Sequence, residues 1–213
     1  YNKSLAIRLN ALGEKHPDVA DSYNNIGMVY HAKGDYDKAL EYFAKMLSTK
    51  LYTRGENHPG VFVSYNNIGT VYKAKGNYVK ALEYYTKSLS MELNTFGRNH
   101  PDVATSFNNI AFVYKAKGDN NEALEYFTKC ISVKLITLGV DHPEVANAYS
   151  KIGKVYMAMG EVDRAMEYQF YLMNPAIGSL ESRAGNDSGT DDSVQTLIPI
   201  LIPHDSDSRF HGP

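Results

Sequence analysis

The chain has 213 residues, 43% of them hydrophobic and 22% charged, with a formal net charge of −2. A balance this close to neutral excludes the broad basic field that nucleic-acid binding draws on, and no apolar run of about 18 residues is present to cross a membrane as a helix. The single cysteine, Cys130, excludes an internal disulfide and fits a reducing, cytoplasmic setting. Seventeen tyrosines beside no tryptophan point to a structural slot that tyrosine fills again and again.

Residues 1–15 read as a helix in which Leu5, Leu9 and Gly13 align with Leu47, Leu51 and Gly55 further on. This is the second helix of a repeat whose first helix is absent, so the chain is expected to come from a longer array. The next unit, 16–57, opens at His16-Pro17. Proline suits the first helical position, where its missing N–H would find no partner in any case, and Asp18 in the first turn favours the helix dipole. Tyr23, Ile26, Gly27 and Tyr30 then fall at i, i+3, i+4 and i+7, one apolar stripe of helix A. Gly34 stops that helix, and a helix B carries Tyr36, Ala39, Leu40, Phe43 and Leu47 to a close near Gly55. Gly27 and Ala39 are small so that the two helices can approach, with Tyr and Phe filling the space beside them.

The units 58–99, 100–141 and 142–174 repeat this order. His-Pro returns at 58, 100 and 142, always 42 residues on, and Asn24-Asn25-Ile26-Gly27 returns as Asn66-Asn67-Ile68-Gly69 and Asn108-Asn109-Ile110-Ala111. A fixed period over four copies is the signature of a repeat array. The fourth unit is eroded: Gln169 stands where helix B otherwise has Phe or Tyr, and Pro175 interrupts the helix. Residues 175–213 hold six acids (Glu181, Asp187, Asp191, Asp192, Asp205, Asp207) against Arg183 and Arg209 and are rich in Ser, Gly and Asp. They read as a disordered acidic tail. An apolar island at 196–203, broken by two prolines, is a candidate for self-contact.

The order large residue, Ile-Gly, Tyr, Gly, Tyr, Ala, Phe (Tyr23, Ile26-Gly27, Tyr30, Gly34, Tyr36, Ala39, Phe43) resembles the tetratricopeptide repeat (TPR). The 42-residue length, the opening His16 to Ala20 and the paired asparagines are similar to the kinesin light chain subtype. The resemblance covers about residues 1 to 173. It implies an all-α, right-handed superhelical solenoid of stacked helix-turn-helix repeats, with helices A lining a concave groove that holds a protein or an extended peptide. Motor attachment is not implied, since no heptad coiled coil precedes the repeats in this sequence.

On each helix A the stripe opposite the buried one is the candidate binding face. It carries Asn24, Met28 and His31, then Asn66, Thr70 and Lys73, then Asn108, Phe112 and Lys115. An asparagine amide offers both a donor and an acceptor, so it can grip a peptide backbone whatever the side chains; Asn25, Asn67 and Asn109 can share this duty. Asparagine is a poor mid-helix residue, and the competing reading is a structural ladder of asparagines between neighbouring helices. Both roles can hold together. Lys73 and Lys115 suit the helix C-terminal dipole and also an acidic or carboxylate partner. A chaperone-tail carboxylate clamp is rejected, because Asn24 and Asn108 stand where it needs bases. The alternative to partner binding is a purely structural or self-associating array, or a cargo-adaptor fragment of a kinesin light chain-like protein. The four His-Pro histidines sit one repeat apart, too far to share a metal, and are read as loop or N-cap residues. Cys130 occupies a slot held by Met46 and Ser88 and reads as a buried spectator. No phosphate loop or catalytic triad pattern is present, so neither an enzyme activity nor a cofactor is expected.

Overall fold

Each helix begins and ends on residues that the repeat supplies. The computed structural model describes residues 1–173, which form α1 (Asn2–Leu12), α2 (Pro17–Ala32), α3 (Tyr36–Arg54), α4 (Pro59–Ala74), α5 (Tyr78–Phe96), α6 (Pro101–Lys117), α7 (Asn120–Leu138), α8 (Pro143–Met159) and α9 (Val162–Met173). The acidic tail and its island at 196–203 lie outside the described residues.

The histidines are N-caps. His16, His58, His100 and His142 hold an extended backbone, and each Nδ1 accepts the N–H two residues on, at 3.2, 3.0, 3.2 and 3.2 Å. Each cap satisfies one of the amides that a helix start leaves without an intrahelical acceptor. Asp35 and Asn77 do the same for α3 and α5. Helix ends fall on glycines with φ between 75° and 88°, at 13, 34, 55, 76, 97, 118, 139 and 160. That conformation is strained for any residue with a Cβ. After α2, the N–H groups of Gly34 and Asp35 return to the carbonyls of His31 and Tyr30, both at 3.0 Å, which satisfies the orphan acceptors of the last turn.

The described residues fall into two units. In the first, Tyr1–Val133, helices pack on their sequence neighbours, from α1 on α2 through to α5 on α6. Tyr23, Ile26, Ala39, Phe43 and Met46 form one core with Ile68 and Val71, and Tyr85, Val103, Ile110, Cys130 and Val133 belong to the next. The tyrosine slot is a ring triad in every repeat. Tyr42 stacks on Tyr30 at 5.6 Å and meets Tyr23 at 6.1 Å; Tyr84 does so with Tyr72 and Tyr65, and Tyr126 with Tyr114 and Phe107. Such pairs contribute about 0.5–1.5 kcal/mol each beyond the area they bury. Lysines rest on the outer ring faces, with Lys38 over Tyr30 and Lys45 over Tyr42.

The second unit begins at Lys134 and holds the end of α7, α8 and α9. Val145, Ala148, Tyr149 and Ile152 are buried, Tyr168 repeats the triad against Tyr156 at 5.4 Å and Tyr149 at 6.2 Å, and Lys134 pairs with Glu144. Burial and the adjacent rings push the Tyr168 hydroxyl far above the ordinary tyrosine range.

Candidate interaction face on helices A

Within the first unit α2, α4 and α6 lie side by side, and their paired asparagines fix the spacing. Asn67 Nδ2 donates to Asn24 Oδ1 at 2.8 Å, and Asn109 Nδ2 donates to Asn66 Oδ1 at 3.4 Å. The ladder read from the sequence therefore exists, and it runs diagonally, from the second asparagine of one helix to the first of the helix before.

A ladder bond occupies one end of each amide. Asn24 keeps its Nδ2, whose one contact is the weak acceptor Met28 Sδ at 3.8 Å. Asn67 keeps its Oδ1, and Asn25 stands exposed beside them. Asn66 differs. Its Nδ2 turns away from the other asparagines toward Ser88 Oγ (2.9 Å), Glu92 Oε1 (3.1 Å) and Ser106 Oγ (3.4 Å), so both of its ends serve the packing of α4, α5 and α6.

One turn along, Met28 is 55% exposed, and Thr70 Oγ1 shares 2.9 Å contacts with Asn66 O and the Tyr85 hydroxyl. Phe112 is half-buried and stands edge-on to Phe127 at 5.3 Å between centroids. Lys73 lies 5.8 Å from the Phe112 centroid, so α4 and α6 join here a cation and an aromatic face. Desolvation holds the Lys73 ammonium below the ordinary lysine range, with no carboxylate opposing it among the described residues. Lys115 occupies the matching place on α6 and is also half-buried. His31 stands in the same slot on α2, and its buried Nε2 makes no hydrogen bond among the described residues. The row thus sets a histidine and two lysines beside Met28 and Phe112.

Sequence reading missed Glu92. Its slot is held by Arg8, Lys50 and Lys134 in the other repeats, and these bases reach Ser22, Asp21 and Glu144 respectively. The register itself carries the signal: one acid stands in a column of bases. Glu92 is 2% exposed and lies among Ser88, Asn66 and Ser106, and burial raises its carboxyl above the usual glutamate range. Among the described residues no group of three or more potential metal ligands is present.

The family model described as Tetratricopeptide repeat matches residues 1–51, 60–135 and 102–169. No curated protein sequence matches the chain. Among solved structures it is similar to BtubC (BKLC) from P. vanneervenii, with a TM-score of 0.72 and 20% identity over 100% of this chain and 78% of that one. It is also similar to a kinesin light chain-like protein of Podosopora anserina with nearly identical TPR-like repeats, in a single-substitution form. There the TM-score is 0.70 with 22% identity, over 84% of this chain and 85% of that one. MamA follows with a TM-score of 0.57 and 18% identity, over 84% and 88%. Identities this low carry the fold alone, and that fold is the all-α stacking of helix-turn-helix repeats.

Proposed function

Because the chain belongs to the tetratricopeptide repeat family, we propose that it is a protein-interaction scaffold that takes an extended peptide along α2, α4 and α6. The observation that carries this reading is Lys73. Half-buried beside Phe112, with its charge disfavoured by desolvation and no ion pair among the described residues, it has an incentive to meet a carboxylate that the repeat does not supply. The unused ends of Asn24 and Asn67 lie next to each other across the ladder bond, one a donor and the other an acceptor. Together they match the C=O and N–H of one extended peptide backbone. Met28 and Phe112 supply apolar contact beside them, and Lys115 a second positive charge.

The test is a peptide array of acidic and neutral extended sequences probed with the chain, followed by titration of the peptides that bind. Lys73→Ala, placed on the face without a structural hydrogen bond, should weaken the acidic binders at least tenfold while the melting temperature holds. Binding that ignores both Lys73→Ala and Phe112→Ala would overturn the assignment of the face. A second reading, a structural array, draws on the ladder itself, since Asn67 and Asn109 bond between repeats without any ligand. Under that reading Asn67→Ala costs stability and leaves peptide affinity intact.

A further inference from the structure

The buried group around Glu92 has fewer protons than its contacts require. Ser88 Oγ lies 2.7 Å from Glu92 Oε1 and 2.9 Å from the Phe62 carbonyl, yet one hydroxyl proton can serve only one of them. Asn66 Nδ2 is shared among Ser88, Glu92 and Ser106. Glu92 Oε2 is buried with no hydrogen-bond partner among the described residues. An ionised carboxylate left this way carries a large desolvation cost, because it wants several dedicated donors.

A proton on Glu92 Oε1 resolves the arrangement. The carboxyl then donates to Ser88 Oγ, and the Ser88 hydroxyl is free to donate to Phe62 O. Asn66 still reaches the cluster, and the unmatched Oε2 becomes a neutral carbonyl oxygen, far cheaper to leave alone. Electrostatics point the same way. The charged group that acts on Glu92 from α6 is Asp102, an acid, which itself lies 3.7 Å from His100 Nδ1. From α4 come the uncharged amide of Asn66 and the Phe62 carbonyl, and from α5 the Ser88 hydroxyl. Hydrogen bonds from the Ser106 hydroxyl of α6, from Ser88 and from Asn66 favour the charged form, and burial outweighs them. Among the described residues no base reaches Glu92, whereas Lys134, at the same place one repeat on in the sequence, pairs with Glu144.

We propose that Glu92 is a carboxylic acid in the folded protein and works as a pH-sensitive latch. Protonated, it ties α4, α5 and α6 together through Ser88, Asn66 and Ser106; ionised, it loosens that junction. Loss of the proton to solvent draws the Ser88 hydroxyl off Phe62 O and commits Asn66 to the new charge. It also sets two acids, Glu92 and Asp102, against each other. Asn66 is also the acceptor for Asn109, so the ladder between α4 and α6 answers to the same proton.

The folded chain binds this proton more tightly than the unfolded chain does. The stabilisation is therefore complete below the ordinary glutamate range and is lost as pH rises through the raised folded value. The experiment compares the melting temperature of the full chain with that of Glu92→Gln from pH 4 to 9, beside a 13C titration of the Glu92 carboxyl in the parent. Glutamine keeps the shape and cannot ionise, and both proteins share Asp102 and His100, so their difference isolates Glu92. The parent should lose about 3–5 °C relative to Glu92→Gln for each pH unit inside the window. The Asn66 and Asn109 side-chain amide signals should move with the same midpoint. A carboxyl that titrates within or below the ordinary glutamate range overturns the latch, as do parallel melting profiles. If Glu92→Gln does not fold, the carboxyl titration of the parent decides alone.

Discussion

A methyl group added at Gly153 would meet Ala165 O at 3.5 Å and Tyr168 Cβ at 3.6 Å, which is ordinary contact. At Gly69 the same methyl would stand 2.9 Å from Tyr85 Cδ1, and at Gly27 2.7 Å from Phe43 Cε1. The contrast follows from Gln169 replacing the ring of helix B in the last repeat. The third repeat already holds Ala111 opposite Phe127, so a ring can give way, but Tyr85 is tethered by its hydroxyl to Thr70 and Phe127 has no hydroxyl. Gly153→Ala should therefore raise stability by about 0.5–1 kcal/mol, the helix-propensity gain, whereas Gly69→Ala should lower it by about 1–3 kcal/mol through overpacking. Thermal melts of the two variants decide, and shifts of the same sign would count against this account. The asparagines separate in a similar way. Asn66→Ala strips donors from Ser88 and Glu92 and an acceptor from Asn109, at an expected cost of about 1–3 kcal/mol. Asn25→Ala, exposed, should stay within about 0.5 kcal/mol of the parent in the same denaturant titration.

Helix starts and stops were legible in the sequence, because caps are local chemistry. His-Pro gives an N-cap and a first helical residue, and each glycine gives a stop at positive φ, whatever packs around them. The partners of the polar residues were not legible. Nothing in the spacing of Asn66 and Asn67 says that one turns to its own helix B and the other to the preceding helix A, since that depends on small Ser88 and Ser106 leaving room beside Glu92. Caps also differ in what backs them. α2, α6 and α8 carry Asp18, Asp102 and Glu144 in the first turn, whereas α4 has Gly60 there and relies on His58 alone. His58→Ala should thus cost about 0.5–2 kcal/mol, and His58→Asn, which restores a side-chain acceptor, should recover most of it. Chemical denaturation of the pair checks this, and an asparagine variant as weak as the alanine one would remove the cap from the explanation.

On the scale of the whole molecule, the repeat made the fold class readable, because the same pattern four times over leaves no other architecture that buries every stripe. The same economy governs how damage spreads. Helices of the first unit pack on their neighbours in the sequence, and each core draws its residues from adjacent repeats, as Ile68 and Val71 of α4 do in joining Phe43 and Met46 of α3. A cavity or clash in α4 therefore weakens first the cores that α4 borders. Gly69→Leu forces a branched side chain into the space held by the Tyr85 ring, so α4 and α5 should lose protection first. Amide hydrogen exchange should show α2 to α6 opening faster in this variant, while α8 and α9, which hold their own Tyr149, Tyr156 and Tyr168 triad, keep the rates of the parent. Gly153→Leu should reverse the pattern. Uniform acceleration along all helices in both variants would mean that the array unfolds as one cooperative block, and the nearest-neighbour description would then fail.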